Sequence, residues 1–283
     1  MRGLPRRLPA AVAACLFSCV AGVALAQGDA RRGEYVSKAA GCVGCHTANA
    51  PGAAPYAGGR ALRTPFGTFL GPNITPHPTA GIGRWSEADF VRAMRHGERP
   101  DGANYFPAFP YVSFTRMSDA DLRDLWAYLR SVPPSAAPSR PHELRWLYRW
   151  RFPVTCWKWL YFAPGPRAAD TPRGAYLANA LGHCGECHTP RNFLGGPKAR
   201  LQFAGTRSGP DGKRVPNLTP ARLKKWDDGE LAEFLVSGMT PDGNVAGETM
   251  AEVVRNTTSR LTAADLAALV AYLRTLPAIA EDR

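Results

Sequence analysis

Beyond its first residues the chain has no long apolar run, which excludes a bundle of membrane-spanning helices over that length. It also lacks a Gly-rich nucleotide fingerprint and a hydrolytic triad pattern, so neither dinucleotide chemistry nor hydrolysis has a foothold. Alternating strand patterns are weak throughout, while 28 Gly and 26 Pro break the sequence into short helical stretches and long loops. Acid is scarce as well: 23 Asp and Glu face 35 Lys and Arg, a formal net charge of +12. Such a field suits an acidic docking face or an anionic membrane surface. Nucleic acid is the other usual partner of a basic chain, but no nucleic-acid motif is present and an exported protein rarely meets it.

The one apolar run lies at the start. Arg2, Arg6 and Arg7 precede a stretch from Leu8 to about Leu25, and Ala24-Leu25-Ala26 reads as a small-residue cleavage site. Residues 1–26 are expected to be a secretory signal. An uncleaved membrane anchor is the alternative, because the run approaches the roughly 18 residues that begin to span a bilayer. Export implies the periplasm, an oxidising compartment in which thiols normally end up paired with one another.

Most of the cysteines here have a different use. Cys42-Val43-Gly44-Cys45-His46 and Cys184-Gly185-Glu186-Cys187-His188 are two copies of Cys-x-x-Cys-His, the signature of covalently attached c-type haem. Two thiols three positions apart on one helical turn can each add to a haem vinyl group, and the following histidine then points its imidazole at the iron. One such pentapeptide also fits a zinc or thioredoxin-like site; two copies, each inside a longer repeated frame, favour haem. Cys42, Cys45 and His46 are thus expected to hold one haem, and Cys184, Cys187 and His188 a second. Cys15 and Cys19 would leave with the signal. The remaining thiol, Cys156, lies among bulky aromatics and reads as a small buried hydrophobe.

The frame around the motifs is an internal duplication. Arg32-Gly33-Glu34-Tyr35-Val36 precedes the first and Arg173-Gly174-Ala175-Tyr176-Leu177 the second. Pro72-Asn73-Ile74-Thr75-Pro76 answers Pro216-Asn217-Leu218-Thr219-Pro220, Trp85 answers Trp226, and Pro100-Asp101-Gly102 answers Pro241-Asp242-Gly243. Each copy closes on a helix. Ser118 or Thr262 caps it, with Asp121 or Asp265 three positions on, and Leu122, Leu125, Trp126 and Leu129 match the stripe of Leu266, Leu269, Val270 and Leu273. Trp126 reads as a packing residue. The expected fold is all-α: two tandem domains, residues 27–135 and 165–283, each a few short helices and long loops around one covalent haem. Residues 136–164 form a connector with Trp146, Trp150, Trp157 and Trp159 among Arg145, Arg149, Arg151 and Lys158. It suits packing between the domains, or a face turned to a partner subunit or a membrane interface.

The order of these motifs resembles a two-haem class I cytochrome c. It is most similar to the cytochrome c subunits of periplasmic alcohol, aldehyde and gluconate dehydrogenases, over nearly all of the chain after its leader. The resemblance implies a periplasmic carrier that takes single electrons from a partner dehydrogenase and passes them towards a downstream cytochrome or oxidase of the respiratory chain. It also implies that a methionine from the loop before each last helix takes the sixth iron position, where a thioether raises the reduction potential. In the second domain Met250, eight residues beyond Asp242, stands there. In the first domain the same place holds Phe109, which cannot ligate iron. Three readings follow for the first haem: Met117 as substitute, another ligand such as Met94 or a histidine, or an open or water-bound iron. The last keeps a second class of function in view, a dihaem enzyme with peroxidase-like or sulfur-oxidising chemistry at an open first haem. His183 is expected at the surface or near a propionate, and His77 in a solvated loop. Asn73 and Asn217 read either as donors into the haem pocket or as ordinary turn residues.

Overall fold

The computed structural model describes residues 27–165 and 171–280; the expected leader over residues 1–26 lies outside them. The first repeat contains α1 (Ala30–Ala39), α2 (Cys42–His46), a hairpin of β1 (Ala61–Thr64) and β2 (Gly67–Leu70), α3 (Glu87–His96), α4 (Tyr111–Phe114) and α5 (Asp119–Ser131). After it come β3 (Glu143–Leu144) and α6 (Phe152–Tyr161). The second repeat contains α7 (Arg173–Tyr176), which runs on as a π-turn over Leu177–Leu181, then α8 (Gly185–His188), α9 (Pro220–Leu223), α10 (Asp228–Ser237), α11 (Glu248–Asn256) and α12 (Ala263–Thr275).

The all-α expectation needs one correction. A three-stranded antiparallel sheet runs β1-β2-β3, with Ala61 opposite Leu70 and Gly67 opposite Leu144. Its hairpin turns through Thr64-Pro65-Phe66-Gly67, where Thr64 Oγ1 donates to the Gly67 carbonyl at 2.8 Å. Strands of four residues and two are too short to leave a period-2 signature in sequence.

The two terminal helices of each repeat cross at a glycine. A Cβ on Gly33 of α1 would fall 1.8 Å from the Asp124 carbonyl oxygen of α5, and one on Gly174 of α7 would fall 1.9 Å from the Ala268 carbonyl oxygen of α12. The helices therefore touch backbone to backbone. The predicted stripes face this crossing: Leu122, Leu125 and Leu129 are buried on α5, and Leu269, Val270 and Leu273 on α12. Trp126 stacks at 5.3 Å on Phe90 of α3 and carries Arg130 above its ring, so it packs. Between tyrosine and first cysteine the second repeat has one residue more than the first, and the π-turn absorbs it.

The repeats are joined by a reciprocal contact. Tyr35 OH donates to Asp265 Oδ2 at 2.5 Å and accepts from the Thr262 N–H at 3.2 Å. Tyr176 OH donates to Asp121 and accepts from the Ser118 N–H at 3.1 Å. Ser118 and Thr262 cap their helices as the sequence predicts. The acidic residue three positions on does not return to the cap, however; the tyrosine hydroxyl of the other repeat sits between them.

Asp265 also takes Arg173 Nε and Nη2, at 2.8 and 2.6 Å. Those bonds from Arg173, against the burial that opposes them and with help from Tyr35, hold its carboxyl below the usual range. A carboxyl so lowered contributes stability that is full above its ordinary value of about 4 and is lost as pH falls through the folded value. Asp265→Asn should therefore flatten the acid limb of the stability curve. Urea midpoints measured downward from neutral pH check this, and an unchanged acid slope would contradict it.

The connector touches both repeats. Arg151 Nη1 donates to the Asn104 carbonyl at 2.7 Å and Lys158 Nζ to Asn104 Oδ1 at 2.6 Å. On the other side Trp157 Nε1 donates to the Leu194 carbonyl at 3.1 Å, and Asn192 Nδ2 to Tyr161 OH at 3.0 Å. Contacts with the second repeat account for Trp157 and Tyr161, and Val154 is buried. Trp146, Trp150 and Trp159 stay out in solvent, at 74%, 69% and 93% exposure. Cys156 is exposed too, contrary to the buried role expected of it, because α6 turns Val154 inward instead.

Candidate haem sites

Each Cys-x-x-Cys-His lies on a short helix entered from a left-handed residue, Gly41 at φ 63° or His183 at φ 38°. The repeated loops then build one cradle twice. The His46 carbonyl accepts from the Gly58 N–H at 2.7 Å, and the His188 carbonyl from the Gly205 N–H at 2.8 Å. Tyr56 and Phe203, just before in each copy, both have φ 63°, a conformation that costs a side-chain-bearing residue on the order of 1–3 kcal/mol. Aromatic-Ala-Gly in both copies was the available signal for this turn.

The imidazoles are held alike. His46 Nδ1 lies 2.8 Å from the Pro72 carbonyl oxygen, and His188 Nδ1 lies 2.7 Å from that of Pro216. A carbonyl only accepts, so Nδ1 carries the proton and Nε2 keeps the lone pair a metal needs. Burial lowers both imidazoles while the carbonyls raise them, leaving the neutral form that ligates. Burial pushes the thiols up, Cys42 and Cys184 to about 11 and Cys187 to about 12. They are protonated at neutral pH, and all four motif cysteines are free of disulfides.

Asn73 and Asn217 take the turn role, each Oδ1 accepting from the N–H two residues on, and add a long-range tie. Asn73 Nδ2 donates to the carbonyls of Ser135 and Ala137, both at 2.8 Å, and its Oδ1 accepts from the Thr75 N–H and hydroxyl. Asn217 Nδ2 donates to the Ile279 carbonyl at 2.7 Å. Each asparagine ties down the segment leaving its last helix, and so fixes the proline carbonyl beside it that orients the histidine.

Haem fits this setting. Among the described residues two buried side-chain polar atoms have no partner, Arg60 Nε and Tyr111 Oη. Arg60 is close enough for its charge to act on Cys45, and Tyr111 close enough to feel Glu186 inside the second motif. An orphaned donor beside each motif matches a group whose edge carries carboxylates. No cluster of three or more His, Cys, Asp or Glu suited to a bare metal ion occurs among the described residues.

Each motif also touches the other repeat. Arg60 Nη2 donates to Glu252 Oε2 of α11 at 2.6 Å, and Ser113 Oγ of α4 donates to Glu186 Oε1 at 3.0 Å. A Cβ on Gly41 would lie 2.8 Å from Thr257 Oγ1. His183 belongs to this interface, not the surface: its ring meets Phe114 edge-on at 5.5 Å. His77 accepts from the Ala80 N–H at 3.1 Å and braces its own turn. Met250 stands in the first turn of α11 rather than in a loop, and Phe109 in the turn before α4; both are half-buried against the core. Met117 is fully buried in the core.

The cytochrome c family model matches residues 30–133 and 172–277. A dihaem c-type cytochrome of Cereibacter sphaeroides is 46% identical over 261 residues, 89% of this chain and 87% of that protein. The cytochrome c subunit of a quinone alcohol dehydrogenase of Komagataeibacter europaeus is 38% identical over 299 residues, 96% of this chain and 62% of the subunit. A fructose dehydrogenase cytochrome subunit of Gluconobacter japonicus is 40% identical over 262 residues, 89% of this chain and 53% of the subunit. The chain thus spans little more than half the length of those two dehydrogenase subunits. Similarity of this extent, over both repeats, makes this chain a member of the cytochrome c family, an electron-transfer protein with two covalently bound haem c groups.

Proposed function

We propose that the protein is a periplasmic carrier that receives single electrons from a partner dehydrogenase and delivers them towards the respiratory chain. Cys42 and Cys45 attach one haem and Cys184 and Cys187 the other, His46 and His188 are the proximal ligands, and Met250 is the sixth ligand of the second haem. Residues 27–135 and 165–283 are the two haem domains, and residues 1–26 the export signal. Haem iron supplies a reversible one-electron couple at each site. The pair of proline carbonyls carries this reading, since it sets both imidazoles to face a metal with Nε2. Tyr35 and Tyr176 brace the two sites against each other, which keeps the spacing for electron exchange constant.

The partner face is the connector. Trp146, Leu147, Trp150, Phe152 and Trp159 are exposed, and Arg145 and Arg149 lie exposed among them. Aromatic rings bordered by cations suit a membrane interface, with rings at headgroup depth and guanidinium groups on phosphate. No described helix is long and apolar enough to cross a membrane, so association through this face is peripheral. A variant with Trp146, Trp150 and Trp159 changed to Ser should keep both haems and lose co-sedimentation with anionic phospholipid vesicles; retained binding would count against this face.

The functional reading itself is tested by affinity purification of tagged holoprotein from its own host. A dehydrogenase should co-purify, and that enzyme's substrate should reduce the haem bands in stopped flow. Absence of both would overturn it.

A further inference from the structure

The two repeats carry one loop frame, and it places every described methionine relative to its counterpart. In the first repeat Glu98 bridges Asn104 and the Tyr105 N–H donates to the Gly97 carbonyl at 2.7 Å. In the second Met239 bridges Val245 and the Ala246 N–H donates to the Gly238 carbonyl at 2.7 Å. Four residues past those locked positions stand Phe109 and Met250. Counted from that shared bridge the two positions match, although Phe109 stands in the turn before α4 and Met250 within α11.

The same frame assigns the other methionines of the first repeat. Met94 lies three residues before the left-handed Gly97 that ends α3, and Leu235 lies three before Gly238 that ends α10. Met117 directly precedes the cap of α5, as Leu261 precedes the cap of α12. Both methionines are buried among core residues where the second repeat uses leucine, a side chain with no lone pair. The main chain at Met117 is pinned as well. Arg95 donates to the carbonyls of Thr115 and Met117, both at 2.8 Å, and to Asp119 Oδ1 at 2.6 Å.

Histidines do not fill the gap. His77 braces its own turn, His96 is exposed at the end of α3, and His183 lies in the interface before the second motif. His142 accepts from the Leu70 N–H at 3.1 Å, with its ring against Phe69 and Phe106. Around Phe109 the neighbours are the rings of Tyr105, Tyr111 and Phe114, at 5.4, 6.2 and 5.8 Å between centroids.

We infer that no described side chain of this protein takes the sixth position on the first iron, and that Phe109, standing where the second repeat has Met250, leaves that position to a small neutral ligand of the carbon monoxide or nitric oxide class. The inference rests on His46 and His188 being the proximal ligands. A haem count on the same material keeps the two apart: fewer than two haems per chain refutes the attachment reading itself.

The test uses full-length holoprotein matured in a host that attaches haem c. Ferrous protein is titrated with carbon monoxide, and the red charge-transfer band of thioether-ligated ferric haem is measured per chain. Wild type should bind one carbon monoxide per two haems within the mixing time and show the band of one thioether-ligated haem. Met117→Leu should change neither value. Phe109→Met should abolish rapid binding and double the band, and Met250→Ala should remove it. A wild-type band worth two haems that Met117→Leu halves, or a wild type that binds no carbon monoxide rapidly, would overturn the inference.

Discussion

Met250→Ala is expected to lower the reduction potential of one haem sharply and leave the other where it was. A thioether stabilises ferrous iron relative to ferric, so replacing it with water or nothing shifts the couple downward. The expected shift is on the order of 100 mV, a modest part of the ~0.8 V that axial ligands command across haem proteins. The fold should survive, because Met250 is only half-buried and α11 is also held by Arg60–Glu252 and by the cap of Gly247 on Ala251. Spectroelectrochemical titration would resolve two one-electron steps in wild type and a single displaced step in the variant. Two unmoved steps would strike Met250 from the ligand set.

Gly174→Val should be strongly destabilising to the second repeat. Its Cβ would stand 1.9 Å from the Ala268 carbonyl oxygen and 2.7 Å from Tyr272 Cβ, so α7 and α12 must separate. Overpacking of this kind typically costs about 1–3 kcal/mol and occasionally more; backbone-on-backbone contact puts this case at ~3 kcal/mol or above. That is a large share of the roughly 5–15 kcal/mol that holds a domain folded. Gly33→Val meets the Asp124 carbonyl oxygen at 1.8 Å and should behave alike in the first repeat. Gly247→Ala, with nothing within 4 Å and φ −61°, is the control: it weakens only the cap of α11 and should cost no more than about 1 kcal/mol. Urea unfolding of the three holoproteins decides it, and a Gly174→Val as stable as the control would refute the close crossing.

Much of this was legible because the duplication checks itself. Caps at Ser118 and Thr262, leucine stripes on the last helices and paired haem motifs recur in the same order at nearly the same spacing, and chance rarely writes the same pattern twice. What stayed hidden depends on contacts between distant segments. Tyr35 and Tyr176 show in sequence only as a repeated position before each haem motif; the assembled pair shows each hydroxyl inserted into the other repeat's helix cap. Asn73 shares its motif with the proline that orients His46, yet its own bonds go to Ser135 and Ala137, about sixty residues on, which no local pattern records. β3 pairs through two residues, below the length at which alternation can be read. Cys156 and its neighbours carry the composition of a core, and whether such a segment is covered depends on what lies above it.

Haem joined to the chain at both Cys-x-x-Cys-His sites is what every step above requires, and intact-mass spectrometry tests that most directly. Holoprotein should be heavier than its polypeptide by two haems, and the Cys184→Ser/Cys187→Ser variant by one. Folded, redox-active protein with the mass of the bare polypeptide would contradict it.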